Sequence, residues 1–317
     1  MSQFKCKECG KEFEARKGFH CHLKAHSLTI GDYYVKNYKK KDLFTGDLLQ
    51  FKNYDSYFSF DFNSFENYLS WLRISPKKVS KEYVLEQSRQ RFQDKKIKIS
   101  PPNLYYDLSL MANIATCRSL WGSYENFTKE AGLKNIFNKS LPKGFWDRNT
   151  DDVCIFVDTR EKKPFEFPCS RIQKLDFGDY TVGGELYSKT FVDRKAQDDF
   201  RQTFGSGIER FRREMDRCVQ FGCYMFVVVE SSIEKLEEDN RVSKFKSNLG
   251  FVWHNVRQLM LDYPENLQFV FAHNRAGTKK ITPLILLYGK ELWNIDVQYH
   301  IDKIIHGEKQ RKTLISA

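Results

Sequence analysis

The chain has 317 residues, 41% of them hydrophobic and 15% aromatic, enough apolar material for real cores in two or three domains. No apolar run reaches the ~18 residues needed to cross a bilayer. The polar opening MSQFKCKECG is unlike a secretory leader, so a membrane partner is not expected and the protein reads as intracellular. The net charge of +11 is uneven: residues 1–150 hold 26 Lys+Arg against 16 Asp+Glu, and residues 151–317 hold 26 against 25, which points to a polyanion-binding front half joined to a second functional domain.

The first predicted element occupies residues 1–30. Within FKCKECGKEFEARKGFHCHLKAHS (4–27), Cys6 and Cys9 are separated by two residues, twelve residues lead to His22, and three more lead to His26. This is the ligand spacing of a ββα zinc finger: a tight turn presents two thiolates and one helical face presents two imidazoles to a tetrahedral Zn²⁺. Phe13 and Phe19 fall where the small core of such a finger sits. So short a segment buries too little to fold alone, so Zn²⁺ is expected to supply about 10–16 kcal/mol of folding energy. The helix positions that read bases hold Ala15, Gly18 and Cys21, none with bidentate hydrogen-bonding capacity. The finger therefore reads as a positioning module, touching phosphates through Arg16, Lys17 and Lys24.

Residues 31–140 form a basic, aromatic-rich region. Aromatic residues crowd the stretch from Tyr33 to Trp71, interleaved with Lys36, Lys39, Lys40, Lys41 and Lys52. Such a texture suits nucleic acid, where bases stack and phosphates pair, although a small aromatic core under a lysine surface accounts for most of the rings. NSFENYLSWLRI (63–74) and GSYENFTKEAGL (122–133) share Ser, an aromatic, Glu, Asn and a second aromatic in order, marking duplicated helical modules. The second copy carries Trp121, Gly122, Ser123, Asn126, Ala131, Gly132 and Leu133, and resembles the DNA-binding repeat that accompanies many phage and mobile-element homing endonucleases. That resemblance implies a compact helical unit docking on duplex DNA, with Ile114–Leu120 and Arg118 as the segment for the major groove. Residues 141–152, rich in Pro, Gly and polar side chains, read as a linker. Cys21, Cys117, Cys154, Cys169, Cys218 and Cys223 show no framework spacing and read as reduced thiols.

From residue 153 the texture changes. VCIFVD (153–158) reads as a buried strand, FEFPCSRIQKLDFGDYTV (165–182) as extended pieces around a Gly178-Asp179 turn, and LYSKTFVDRK (186–195) as an alternating strand. Residues 196–221 read as helix broken at Gly-Ser-Gly, and CYMFVVVE (223–230) as another buried strand. Helix (about 247–262), strand (Leu267–Phe271) and helix (about 282–293) follow. Strands alternating with helices predict an α/β domain over 153–300, a mixed sheet flanked by helices, followed by a polar tail at 301–317. Asp158, Asp179, Asp193 and Glu230 all fall at strand ends, where sites in α/β sheets gather. Carboxylates that converge need a proton or a cation, and oxygen ligands suit Mg²⁺, or Mn²⁺. Asp193 and Lys195 are two apart and share a strand face, while Arg194 points the other way.

Val157-Asp158-Thr159-Arg160-Glu161, then Leu175-Asp176-Phe177-Gly178-Asp179-Tyr180, then Asp193-Arg194-Lys195 with Asp199 four residues on, resemble the XPF/Hef-type nuclease domain of the PD-(D/E)xK group. The resemblance implies a metal-dependent endonuclease cutting DNA phosphodiester bonds. Asp179 and Asp193 would hold Mg²⁺, Lys195 would orient or activate the attacking water, and Asp158 would join the acidic cluster. Arg160, Glu161, Arg194 and Asp199 would support the site or touch the DNA backbone. It further implies a homodimer through the nuclease domain. With the repeat, it suggests a phage Hef-like homing endonuclease, cytoplasmic in a phage or bacterial setting. Two departures stand out: Asp193 occupies a position usually held by Glu, and too little chain follows the last predicted helix for the family's tandem helix-hairpin-helix modules. The finger and repeats are expected to take over targeting. The alternatives are a structure-specific repair nuclease acting on forks or flaps, and a non-catalytic DNA-binding protein with a degenerate nuclease fold.

Overall fold

The structure, a computed structural model, is described for residues 4–38, 81–94, 96–108, 114–242 and 247–304. The described residues fall into two compact units, one within Met1–Ser88 and the other within Arg89–Ser109 and Asn113–Ala317.

The first unit opens with a two-stranded antiparallel hairpin, β1 (Phe4–Lys5) and β2 (Glu12–Phe13), followed by α1 (Arg16–His22) and a 3₁₀ turn at Leu23–His26. This is the ββα arrangement expected from the ligand spacing. Phe19 and Leu23 are buried beside Cys6, with Phe13 packed against them. A second helix, α2 (Ile30–Asn37), starts in a capping box between Thr29 and Asp32, which satisfies two of its free backbone donors. Its Tyr33 is fully buried: the ring meets Phe19 edge-on at 5.3 Å and the hydroxyl accepts from Lys7 N at 2.9 Å. Lys36 reaches back to Glu8 at 2.9 Å, so α2 is tied to the finger by both packing and charge. The first repeat copy (63–74) and the aromatic run 44–71 lie outside the described residues. The helix α3 (Lys81–Asp94) follows.

The second unit includes α4 (Asn103–Asp107), α5 (Ile114–Trp121) and α6 (Tyr124–Glu130). The repeat motif explains itself locally. Gly122 and Gly132 sit at φ +78° and +79°, conformations that favour glycine, and each closes a helix. Ser123 caps α6 by accepting from Asn126 N, and Asn126 in turn donates to the Trp121 carbonyl at 3.1 Å. The Trp121 indole N–H donates to Glu130 at 2.8 Å while its ring packs on Phe127. Most of the pattern therefore builds the module itself.

The α/β part is a six-stranded sheet of order β4-β3-β5-β6-β7-β8, made by β3 (Cys154–Asp158), β4 (Cys169–Gln173), β5 (Tyr180–Val182), β6 (Thr190–Lys195), β7 (Tyr224–Val229) and β8 (Leu267–Phe271). Only β5 runs against its neighbours. The C-terminal ends of β3, β6 and β7 and the start of β5 therefore share one end of the sheet. Around it lie α7 (Gln197–Phe204), α8 (Ile208–Gln220), α9 (Ile233–Val242), α10 (Leu249–Asp262), α11 (Arg275–Tyr288) and helical residues 297–304. β6 and β7 are buried along nearly their whole length, as a sheet covered on both faces requires. One core gathers Val157, Tyr180, Val192, Phe226 and Val228 with Ile281, Leu284 and Ile285 of α11. On the α7–α10 side, Phe200, Phe204, Phe211 and Trp253 stack with Phe269 and Phe271.

Three sequence readings change. The last predicted helix begins earlier, at Arg275, because Asn274 caps it and Pro283 is tolerated inside it. It then tightens into a 3₁₀ turn at Gly289–Asn294. Helix α9 had no prediction; its polar sequence buries only Leu236. Cys154 and Cys169 are not free thiols: they face each other in the β3–β4 register, with Cα atoms 4.5 Å apart, and are disulfide-bonded. Register, not spacing in sequence, brings them together.

Candidate active site

Asp179 and Asp193 meet at the shared end of the sheet. Gly178 turns the chain at φ +57°, and a Cβ there would come 2.9 Å from the Val192 carbonyl. Asp179 N then donates to that same Val192 carbonyl at 2.8 Å, and Arg194 N donates to Asp179 Oδ2 at 2.7 Å. The turn thus hooks Asp179 onto β6 beside Asp193. Gly178→Ala is expected to cost at least about 1–2 kcal/mol in left-handed strain, read as a drop of several degrees in Tm. An unchanged Tm would show that the turn relaxes freely.

On β6 the side chains alternate as the sequence implies. Asp193 and Lys195 are both buried on one face, and Lys195 Nζ donates to Asp193 Oδ1 at 2.8 Å. Asp199, on the first turn of α7, lies 3.5 Å from the same ammonium and also accepts from Thr203. Burial opposes the Lys195 charge, but Asp193, Asp199 and Asp179 outweigh it and hold the ammonium protonated well above its ordinary range. For Asp179 the balance goes the other way. Burial, then the Asp193 charge, push its carboxyl up to about 8, despite help from Lys195 and the Arg194 amide. Among the described residues no donor reaches Asp179 Oδ1 or Asp193 Oδ2. Two hard oxygens with crowded negative charge fit a divalent cation such as Mg²⁺ or Mn²⁺.

Sequence reasoning missed Glu214. Helix α8 buries Ile208, Phe211, Met215 and Cys218, and Glu214 sits at the edge of that face. Its carboxylate accepts from Gly178 N at 3.2 Å, which brings a further acid to the same end of the sheet. Burial, then Asp193, raise its proton affinity. No short-range motif signals it, because the contact depends on how α8 docks.

Asp158 and the opposite face of β6 do something else. Asp158 is buried and accepts from Arg160 N, Arg160 Nε and Leu175 N at 2.8, 2.6 and 2.7 Å. Burial raises its pKa, but the bonds from Arg160 and Leu175 outweigh this and hold it below the ordinary range. Its oxygens are thus spent on pinning the loop after β3. Arg194 projects away from Asp193, forks onto both Glu161 oxygens at 2.9 and 3.0 Å, and reaches Glu230 at 3.0 Å. Arg275 joins the same Glu230 oxygen at 2.8 Å. Glu161, Arg194 and Glu230 form a largely buried ionic network behind the carboxylates, closed on its outer side by the exposed Arg275; Glu230 belongs to this network and not to the Asp179–Asp193 cluster.

A second candidate metal centre lies in the finger. Cys6, Cys9, His22 and His26 converge with all ligand atoms within 4.8 Å, the only group of three or more such residues that close among the described residues. Cys6 Sγ to His26 Nε2 is 3.6 Å, Cys9 Sγ to His22 Nε2 is 3.2 Å, and the two Nε2 atoms are 3.1 Å apart. A tetrahedral Zn²⁺ with ordinary bond lengths sets S···N edges of about 3.5 Å and N···N edges of about 3.3 Å, so the quartet fits. His20 stays outside it, 3.3 Å from the Tyr34 hydroxyl.

In the helical module, Arg118 lies 4.4 Å over the Tyr299 ring, and Asp296 accepts from Asn103 N at 2.7 Å. The guanidinium expected in a DNA groove is thus stacked within its own unit. No described helix is long and apolar enough to cross a membrane.

No protein-family model matches the chain, and no curated protein sequence matches it. Part of it resembles the solved structure of XPF from Aeropyrum pernix, with 18% identity over 44% of this chain and 67% of that chain, at a TM-score of 0.32. The corresponding XPF complex with DNA gives 19% identity over 42% of this chain and 61% of that chain, at a TM-score of 0.29. The α/β domain is a mixed sheet flanked by helices, preceded by a ββα finger and a small, mainly helical region.

Proposed function

We propose that the protein is a metal-dependent DNA endonuclease, targeted by its zinc finger and helical module in the manner of a homing nuclease. The observation that carries this reading is the meeting of Asp179 and Asp193, each with an open oxygen, beside Lys195, whose ammonium donates to Asp193 and faces Asp199. When bound, Mg²⁺ would neutralise charge on a phosphodiester and favour hydroxide at neutral pH. Asp179 and Asp193 would hold it through Oδ1 and Oδ2. Lys195, fixed by Asp193 and Asp199, would donate to a phosphate oxygen or orient the attacking water. Asp158 and the Glu161–Arg194–Glu230 network keep the strand ends rigid.

The test is incubation of the full chain with linear, forked and random-library duplexes in Mg²⁺, with ends mapped by sequencing. Cuts at preferred duplex sites support the proposal. Cleavage confined to branched substrates transfers it to fork or flap repair, and no cleavage in Mg²⁺ or Mn²⁺ overturns it.

Glu214→Gln keeps an acceptor for Gly178 N but removes a negative charge beside the cation site. The Mg²⁺ concentration for half-maximal cleavage is expected to rise about tenfold, with the saturated rate little changed. An unaltered Mg²⁺ titration assigns Glu214 to turn support alone. Stripping Zn²⁺ from the finger should melt it, since its hairpin is only two residues per strand. DNA affinity is expected to fall while the α/β domain keeps its melting transition, with recovery on adding Zn²⁺ but not Mg²⁺; unchanged affinity would remove the finger from DNA binding.

A further inference from the structure

Away from the carboxylates, the second unit contains a cavity of about 700 Å³. Its walls come from α11, with Lys279 and Lys280, from the segment after β3, with Glu166 and Phe167, and from the segment before β3, with Trp146 and Arg148. Trp146 and Phe167 are half-buried rings already held in place: Trp146 packs edge-on against Phe145 at 4.9 Å, and Phe167 against Phe165 and Tyr180, both at 5.9 Å. Three cations face them against one carboxylate. Arg148 has only a loose, exposed pairing with Asp152 at 3.8 Å, and Lys279 and Lys280 pair with no described carboxylate.

Pre-set rings beside an excess of cations fit a ligand with flat faces and repeated negative charge. A duplex offers its phosphates but keeps its bases stacked inside, whereas an unpaired strand offers both. The cavity is also tied to the candidate active site. Arg275, one turn before Lys279, donates to Glu230, to the Lys163 carbonyl at 2.8 Å and to the Pro164 carbonyl at 3.3 Å. Two of its walls are thereby stitched to the end of the sheet that carries Arg194 and Asp193.

We propose that this cavity binds an unpaired stretch of DNA, with bases against Trp146 and Phe167 and phosphates on Arg148, Lys279 and Lys280. The identity of that strand as substrate rests on the nuclease reading; the binding itself does not. The test uses the full chain without divalent metal, a fluorescent oligo-dT 20-mer, and a hairpin duplex of equal length. Lys279→Glu with Lys280→Glu changes two exposed side chains and leaves the Tm in place. It is expected to weaken oligo-dT binding about tenfold, and Trp146→Ala about fivefold, with duplex affinity affected far less. A 5-iodouracil oligonucleotide should crosslink to Trp146 or Phe167. Wild-type oligo-dT affinity in the lysine variant, or equal losses for duplex and single strand, overturns the proposal even if the protein cuts DNA. Cavity-dependent binding without any cleavage leaves the proposal standing and removes the nuclease reading.

Discussion

Asp193→Asn is expected to lower DNA cleavage in saturating Mg²⁺ by about a thousandfold or more, while DNA affinity and Tm stay near wild type. The amide has the shape of the carboxylate and can still accept from Lys195 Nζ, which the native Asp193 does at 2.8 Å. What it loses is the negative charge that, with Asp179, makes the strand end a site for a divalent cation. A thousandfold loss corresponds to about 4 kcal/mol of barrier, within what a correctly held ion supplies. Removing one of two crowded charges also relieves Asp179, so no stability penalty is expected beyond that of a Lys195 still served by Asp199 and Asp179. Cleavage by the variant at a tenth of the native rate would exclude Asp193 as a ligand. Lost cleavage together with a large fall in Tm would make the residue structural. Asp179→Asn should behave alike, since its Oδ2 contact to Arg194 N survives in the amide oxygen.

These two variants test residues that short-range pattern could reveal. That Asp193 and Lys195 share a strand face was legible because a strand repeats every two residues, and the placement of Asp179 because a Gly-Asp turn followed by a strand leaves few geometries. The central strand β7 was legible for a different reason: it reads YMFVVV, an unbroken apolar run, and is buried throughout. Glu214 and Arg275 were not, because each enters through helix docking, and nothing in the helix sequence says which strand end it will meet. Asp158 shows the converse. Its position at a strand end was readable, but its partners were not: Arg160 and the Leu175 amide engage the carboxylate expected to join the acidic cluster. Cys154 and Cys169, fifteen residues apart, pair only because β3 and β4 set them side by side.

Arg194→Ala is expected to destabilise the α/β domain by about 3–5 kcal/mol. The guanidinium is only 10% exposed and holds Glu161, itself 5% exposed, by two bonds, with a third to Glu230. Its removal leaves Glu161 buried without a counter-charge, and that penalty exceeds the lost attraction. Glu230 suffers less, because Arg275 still reaches it. The pH dependence gives the sign. Burial pushes Glu161 up, but the bonds from Arg194 and Lys163 N outweigh it, so in the native protein its carboxyl lies below its ordinary 4.5. Its stabilising contribution is then fully present above that value and fades as pH falls through the depressed one. Without Arg194, burial dominates, the carboxyl shifts upward, and the variant should instead gain stability as acid neutralises Glu161. Urea melts of both proteins from pH 7 toward pH 5 measure this directly: the gap between them should narrow. A constant gap would mean the network is not carried by the Glu161 charge. Pairing Arg194→Met with Glu161→Leu should recover much of the loss at pH 7, because two apolar side chains leave no buried charge unpaired, whereas Arg194→Lys, with one point charge in place of a fork, should fall between.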